Sequence, residues 1–346
     1  MNHISNKQLT MVVGSYTSQG DDTGLHSFRL NPATGQVQPL HSAVARNASF
    51  LTIAPNGRHL WAVSENGPDD SLVSTFSLDA SSGEMRPVGS VNACGWSPCH
   101  IVQIGSNVAV ANYGSGNLAL CAIGADGLLK TCHQLIKSHT KDDKPSRMHF
   151  TQPLPGRMVA VSNLGLDCLI LMRVTSAAPL HLKPVVTVQL PEGCGPRHMA
   201  LNADGTMLYL VTEKSCEVMA FSYCSTTGSL TLRQTLMASQ AQGAAGADLH
   251  LSPDGRHLYA SMRLKADGIA IFSIGTDGLL SPAGYQPTGT HPRNFAITPC
   301  GSLMAVACHD SNSIELYHLD PDTGMPTHLP GLDITVSRPV CIRWVP

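Results

Sequence analysis

Two stretches of the chain are close copies of each other: residues 202–213 read NADGTMLYLVTE and residues 252–263 read SPDGRHLYASMR. In both, a turn containing Asp and Gly leads into an apolar, strand-like run that ends on a charged residue, Glu213 or Arg263. Self-similarity at a fixed period of about 20 to 50 residues is the sequence signature of folds built from repeated units. The repeat therefore determines the fold, and the charged residues that end the strand-like runs are candidates for a functional role.

The same pattern recurs about every 50 residues along the chain. A seventh copy is split between the two ends, with TMVVGSYT at residues 10–17 and RPVCIRWVP at residues 338–346. The turn glycines of the other six copies are Gly57, Gly105, Gly156, Gly205, Gly255 and Gly301.

Each copy contains four segments typical of β-strands, separated by turns that contain Gly, Asp or Asn. Seven units of four strands at this period predict a seven-bladed β-propeller, with residues 1–346 forming a single domain. Pairing of residues 11–17 with residues 339–345 is expected to close the ring, because closure leaves no sheet edge open.

The composition excludes several classes of protein. With 22 Lys and Arg, 24 Asp and Glu and a net charge of −2, the chain has no broad basic field for nucleic acid or acidic membranes. No apolar run is long enough to span a bilayer, and the first 16 residues lack the apolar core of an export signal. The 11 cysteines are scattered without C-x-x-C spacing, which favours reduced thiols. We predict a cytoplasmic protein with no nucleic-acid or membrane partner.

Charged and polar residues converge at one end of the predicted ring. Two antiparallel strands joined by a short turn bring the start of the first beside the end of the second, opposite that turn. Reading these positions in every unit gives a candidate rim around a central mouth. Its strand starts carry Phe50, His100, His149, Arg197, His198, Asp248, Arg293 and Asn294, and its strand ends carry Glu65, Asn112, Tyr113, Glu213, Arg263 and His309.

The residue types at this rim indicate acid and base chemistry on a compact anion. Arginine grips carboxylate or phosphate through two parallel hydrogen bonds, while histidine or glutamate transfers a proton near neutral pH. Three histidines from different blades are conceivable zinc ligands, but the interleaved arginines would repel a cation. The chain also lacks the phosphate loop, the H-E-x-x-H motif and the spacing of a nucleophile elbow. We predict a site without metal or cofactor.

Several motifs carry a family likeness: VVGSYT, PCH, VANYGSGN, GPRHM, SPDGRHLY and HPRNF. Together they resemble the seven-bladed lactonase family, which includes the propeller type of 6-phosphogluconolactonase and the fungal 3-carboxy-cis,cis-muconate cyclase. The resemblance implies that His149, Arg197, Glu213 and Arg263 are catalytic. One departure is KPSRMHF at residues 144–150, where relatives often have Pro-His-x-His, so the base stays open between Glu213 and His149.

Three functions remain open at this point. The first is hydrolysis of a sugar-phosphate lactone, most plausibly 6-phosphogluconolactone, with Arg197 and Arg263 holding the anion or the developing oxyanion. The second is a cycloisomerase that opens or closes a lactone on an unsaturated polycarboxylate. The third is a propeller that only binds a protein partner, which the charged mouth and the 5% aromatic content disfavour. For the lactonase, the expected substrate contacts are His100, His198, Asn112, Asp248, Arg293 and His309.

Overall fold

A computed structural model describes residues 8–17, 21, 23–138 and 144–346. Seven antiparallel sheets follow one another along the chain, and the innermost strand of each contacts the innermost strand of the next around a closed ring. The predicted seven-bladed β-propeller is confirmed. The expectation about an export signal rests partly on residues 1–7, which lie outside the described residues.

The first blade is assembled from both ends of the chain, as predicted. Its strands β1, β2 and β3 are Leu9–Ser15, Thr23–Leu30 and Val37–Val44, and its innermost strand β29 is Pro339–Trp344. The pairing of β1 with β29 runs from Met11 opposite Trp344 to Ser15 opposite Pro339.

The next five blades each contain four consecutive strands in chain order from the axis outward. Blade 2 contains β4 (Ala48–Ile53), β5 (His59–Ser64), β6 (Leu72–Leu78) and β7 (Met85–Asn92), and blade 3 contains β8 (Pro98–Ile104), β9 (Asn107–Asn112), β10 (Asn117–Ile123) and β11 (Leu129–Lys137). Blade 4 contains β12 (Met148–Leu154), β13 (Met158–Asn163), β14 (Cys168–Ala177) and β15 (Leu180–Gln189). Blade 5 contains β16 (Pro196–Leu201), β17 (Met207–Thr212), β18 (Glu217–Cys224) and β19 (Ser229–Met237), and blade 6 contains β20 (Ala245–Leu251), β21 (His257–Arg263), β22 (Gly268–Ile274) and β23 (Leu280–Pro287).

Blade 7 differs from the predicted four strands because its outer strand is in two pieces. Gly331, at a φ of 80° that favours glycine, lies between these pieces, and both pair with the third strand of the blade. The strands are β24 (Pro292–Ile297), β25 (Leu303–Cys308), β26 (Ser313–Leu319), β27 (Pro326–His328) and β28 (Ile334–Thr335).

The core lies between neighbouring blades rather than inside one sheet. The second strands are buried on both faces; every residue of β13 and of β17 is buried. Outer strands such as β7 and β23 keep most of their residues exposed, because nothing packs against them from outside. All 11 cysteines are free thiols and most are buried, as predicted. The described residues contain no helix long and apolar enough to cross a membrane.

Candidate active site

Every innermost strand carries a β-bulge near its start, at the end of the ring predicted to form the mouth. At this point one or two residues are skipped in the pairing with the second strand of the blade. Bulges re-aim side chains and recur beside active sites. Across the seven blades the bulges create two rings of residues around the axis. The mouth ring is Ser49, Cys99, His149, Arg197, Ala247, Arg293 and Val340, and the second ring is Phe50, His100, Phe150, His198, Asp248, Asn294 and Cys341.

The level of His149 differs from the one that the sequence alignment predicts. Counting back from Gly156 places His149 level with His198, in the second ring. The turn of blade 4 is shorter than those of blades 2, 5, 6 and 7, since only three residues separate Leu154 from its partner Met158. This shortening moves Phe150 to the level of His198 and His149 to the level of Arg197. The correction brings His149 closer to the mouth.

The centre of the mouth is a carboxylate held by two guanidinium groups. Glu213 follows β17, and its Oε2 accepts a hydrogen bond from Arg197 Nε at 2.9 Å and another from Arg263 Nη2 at 2.8 Å. Burial alone would raise the pKa of Glu213, but the neighbouring arginines outweigh burial and lower that pKa below its ordinary value. The carboxylate is therefore ionised at neutral pH while 24% of its side chain stays exposed.

A glycine allows blade 6 to approach this carboxylate closely. Gly246 N donates a hydrogen bond to Glu213 O at 2.9 Å. A Cβ at Gly246 would lie only 2.2 Å from the backbone oxygen of Thr212, so no larger residue fits without displacing the end of β17. The backbone of Glu213 is thus positioned by the neighbouring blade.

Arg263 connects the centre of the mouth to His291, which the sequence analysis did not select, and through Asp310 to His309. Its Nη1 lies 2.9 Å from His291 Nε2, and His291 Nδ1 lies 3.1 Å from a carboxylate oxygen of Asp310. His309, a predicted substrate contact, pairs with the other oxygen of Asp310. Burial and the nearby Arg197 lower the pKa of Arg263 to about 9, which leaves it protonated at neutral pH. His291 was quoted in HPRNF but lies one residue before β24, outside the positions compared between blades.

A second carboxylate lies on the other side of the mouth. Tyr16 donates a hydrogen bond to Glu65 Oε2 at 2.6 Å, and Arg293 Nη2 donates to the Tyr16 hydroxyl at 3.0 Å. Arg293 also lies 3.7 Å from Glu65 Oε2. Burial raises the pKa of Tyr16 well above its ordinary value, so the hydroxyl keeps its proton. Register identified Glu65 and Arg293, whereas Tyr16, which stands at the position of Glu65 in the split repeat, was not selected.

Two predicted substrate contacts of the second ring are engaged in structural hydrogen bonds. Asp248 accepts from His198 Nδ1 at 2.7 Å, from His250 Nε2 at 2.9 Å and from the side chain of Asn294. Burial and the nearby Arg197 lower the pKa of His198 to about 3, so its ring is neutral. Both side chains are only 4% exposed and lie beneath the mouth, so the expected contact of Asp248 and His198 with substrate stays a prediction.

His100 and Asn112 are also placed differently from the prediction. His100 is 3% exposed, and its ring centroid lies 4.6 Å from that of Phe50 and 4.0 Å from that of Phe150. Asn112, fully buried, donates hydrogen bonds to Ala93 O and Asn117 Oδ1, which ties the loop before blade 3 to the blade itself. Neither residue offers exposed side-chain surface to a substrate.

Metal-ligand residue types meet at one place in the described part of the chain. The side-chain ligand atoms of His291, His309 and Asp310 lie within 4.8 Å of one another. In the structure these groups bond one another, and the cation of Arg263 contacts His291. The expected absence of a metal stays a prediction.

The mouth has one cavity on the axis and another at the rim. A small cavity of about 10 Å³ lies on the axis beside Arg197, His198 and Arg293. A more open cavity of about 410 Å³ lies at the rim beside His309 and Arg338. A cleft of about 730 Å³ between blades 3 and 4 contains none of the charged mouth residues.

Comparison with known proteins places this fold and mouth in one class. Residues 10–344 match the family described as Lactonase, 7-bladed beta-propeller. The chain belongs to this family of seven-bladed β-propeller lactonases.

Individual relatives align with nearly the whole chain in sequence and in structure. A 6-phosphogluconolactonase of Formosa agariphila is 30% identical over 92% of this chain and 95% of its own length. A solved protein of Bacteroides fragilis is 37% identical and superposes with a TM-score of 0.91 over 98% of each chain. The periplasmic gluconolactonase PpgL of Pseudomonas aeruginosa is 29% identical, with a TM-score of 0.91 over 98% of this chain and 99% of its own.

Proposed function

We propose that this protein hydrolyses the ester bond of a phosphorylated sugar lactone, 6-phosphogluconolactone. The observation that carries the proposal is the ionised, partly exposed Glu213 carboxylate held between Arg197 and Arg263 at the mouth. The 6-phosphogluconolactonases of Formosa agariphila and Bacillus subtilis, 30% and 27% identical, support the choice of substrate. The cations of the mouth suit a substrate that carries a phosphate.

Glu213 is the proposed general base. Its Oε2 is occupied by the two arginines, while Oε1 has no hydrogen-bond partner among the described residues. In the proposed reaction, Oε1 takes a proton from a water molecule as the water oxygen attacks the lactone carbonyl carbon. The tetrahedral intermediate then breaks the bond between that carbon and the ring oxygen, and the same proton passes from Glu213 to the ring oxygen.

Arg197 and Arg263 are the proposed stabilisers of the negative charge that develops on the carbonyl oxygen. Fixed cationic donors in a partly dry site stabilise such an oxyanion without reorganising during the reaction. Arg197 is 2% exposed and also donates to the backbone oxygen of Ala247, so its orientation is set before substrate binds.

His149 has the weaker claim to be the base. Burial and the nearby Arg197 lower its pKa well below the ordinary value, so the ring is neutral and able to accept a proton. However, the residue is only 4% exposed, against 24% for the side chain of Glu213. A buried ring level with Arg197 in the mouth ring is less able to meet a water molecule than the more exposed Glu213 carboxylate.

The proposal is tested by measuring loss of 6-phosphogluconolactone and of unphosphorylated gluconolactone, each corrected for spontaneous hydrolysis. We expect the phosphorylated lactone to be preferred in kcat/KM and a chelator to leave the rate unchanged. Loss of activity with chelator and its recovery with zinc would overturn the metal-free mechanism. Turnover of an unsaturated polycarboxylate lactone, without turnover of either sugar lactone, would favour the cycloisomerase.

Replacement of Arg197 with lysine tests the guanidinium geometry. We expect Arg197→Lys to lower kcat/KM by about 30- to 150-fold, or about 2 to 3 kcal/mol, because an ammonium keeps the charge but not the planar pair of donors. Arg343→Lys is the matched control, since Arg343 lies over the Phe50 ring, beneath the mouth ring, and donates to the backbone oxygen of Ile342. Equal losses in both variants would contradict the role of Arg197.

Two further predictions, a single domain and a cytoplasmic location, concern the whole protein. The closed ring of blades supports a single domain over residues 1–346, and the free cysteines are compatible with a reducing cytoplasm. The periplasmic relative from Pseudomonas aeruginosa shows that the family is not confined to one compartment. Fractionation of the source cells, with detection by antibody, distinguishes the two locations.

A further inference from the structure

A small polar cavity lies on the propeller axis, at the level of the two rings of inner-strand residues. Its free volume is about 10 Å³, which accommodates one water molecule or one monatomic ion but no phosphate or sulfate. Its lining residues include two arginines, Arg197 and Arg293, together with Ser49 and Asn294. No carboxylate lines the cavity.

Positive charge exceeds negative charge around this cavity. In the mouth, three guanidinium groups share two carboxylates, because Arg197 and Arg263 both bond Glu213 and Arg293 alone faces Glu65. The repulsion between Arg197 and Arg293 adds to burial in lowering the pKa of Arg197.

The ring beneath the mouth does not cancel this surplus. That ring contributes Asp248, whose oxygens accept hydrogen bonds from His198 and His250, and Arg343 lies beside the ring, over Phe50. Asp310, at the rim, is 49% exposed, and water screens its charge. Among the groups of the mouth and of the level beneath it, four guanidinium groups face three carboxylates, so positive charge exceeds negative charge by one near the axis.

A buried hydroxyl without a hydrogen-bond partner also indicates that an anion occupies the cavity. Ser49 is 3% exposed, and its Oγ, although buried, has no hydrogen-bond partner among the described residues. A buried hydroxyl without a partner costs about 1 to 3 kcal/mol, so such groups are normally satisfied by water or a ligand. A hydroxyl donor beside two guanidinium groups is suited to an anion, since all three groups donate.

We propose that this axial cavity binds a single halide ion, chloride under physiological conditions, between Arg197, Arg293 and the Ser49 hydroxyl. The ion neutralises the surplus charge and satisfies the hydroxyl. The cavity is too small for the phosphate of a sugar lactone. The ion site shares Arg197 with the proposed hydrolysis, so it is tested without an activity assay.

The first test is thermal unfolding at constant ionic strength, with sodium chloride or bromide replacing sodium methanesulfonate, whose anion is too large for the cavity. We expect a saturable rise of about 2 °C in the unfolding midpoint at 200 mM halide, because a ligand that binds only the folded state stabilises it by mass action. A midpoint that does not change, or that falls steadily with bromide, would overturn the proposal.

Variants of two buried serines test whether the halide-dependent rise in the unfolding midpoint comes from the axial cavity. Ser49→Ala should lose at least half of the halide-dependent rise. Ser15→Ala is the control, because Ser15 is also a buried serine with an unpartnered Oγ but does not line the cavity. Equal loss in both variants would contradict the assignment.

A crystal of the unmodified protein grown in bromide gives a test that does not depend on a variant folding. We expect an anomalous difference peak on the axis within contact distance of Ser49 Oγ and both guanidinium groups. A water molecule there, with no anomalous signal at saturating bromide, would show that the cavity is a hydration site and would overturn the proposal.

Discussion

The Glu213→Gln protein is expected to hydrolyse 6-phosphogluconolactone with a kcat about 100- to 1000-fold lower than that of the wild type, and with a smaller change in KM. Glutamine keeps the size and a hydrogen-bond acceptor for Arg197 and Arg263, but its amide cannot take a proton from water. Single-turnover and steady-state kinetics, corrected for spontaneous hydrolysis, separate the loss of the chemical step from the loss of binding.

Glu65→Gln is the matched control for this variant. Glu65 follows the second strand of blade 2 as Glu213 follows that of blade 5, and the exposed fractions of the two side chains are 18% and 24%. Because Glu65 bonds Tyr16 and not the central arginine pair, we expect its loss to lower kcat by less than about tenfold, as for a positioning hydrogen bond. Near-normal activity of Glu213→Gln combined with an inactive His149→Gln would identify His149 as the base instead.

The free energy of unfolding is expected to fall steeply with acid, by about 4 kcal/mol per pH unit between pH 6 and pH 5 from three buried histidines. Burial lowers the pKa values of His100, His149 and His198 in the folded state. Below the ordinary histidine pKa of about 6.5, the unfolded chain binds three protons that the folded chain does not, so unfolding is favoured as pH falls. Urea unfolding at a series of pH values measures this slope.

His100→Phe identifies one of the three contributions. His100 lies between Phe50 and Phe150, which occupy the equivalent positions in the adjacent blades, so a phenyl ring suits the site. We expect the pH slope to fall by about one third while the protein stays folded at pH 7. A free energy of unfolding that is constant from pH 7 to pH 5 would mean that the buried histidines are protonated in the folded state.

The sequence alone determined the architecture and the outline of the mouth. Repeats such as residues 202–213 and 252–263 predicted seven blades, and the split copy predicted the closing pair of strands. Register within the repeat also placed Arg197, Glu213 and Arg263 at one end of the ring. These predictions succeeded because strand pairing within a blade is local in sequence, so strand ends can be read from turn positions.

Only the tertiary structure decided which of these residues are accessible. Asp248 and His198 read from the sequence like mouth residues, yet they are bonded to each other across about 50 positions of the chain and lie beneath it. His149 moved by one level because a turn in its blade is short, and Asn112 became part of a buried loop anchor.

The contacts of His291 and Tyr16 likewise depended on neighbouring blades. Arg263 meets His291 between blades 6 and 7, and Tyr16 of blade 1 meets Glu65 of blade 2 and Arg293 of blade 7. Such contacts follow from the bulges and from the packing of one blade against the next, which no pattern within a single repeat encodes. Periodicity determined where the strands end, and packing between blades decided which side chains meet there.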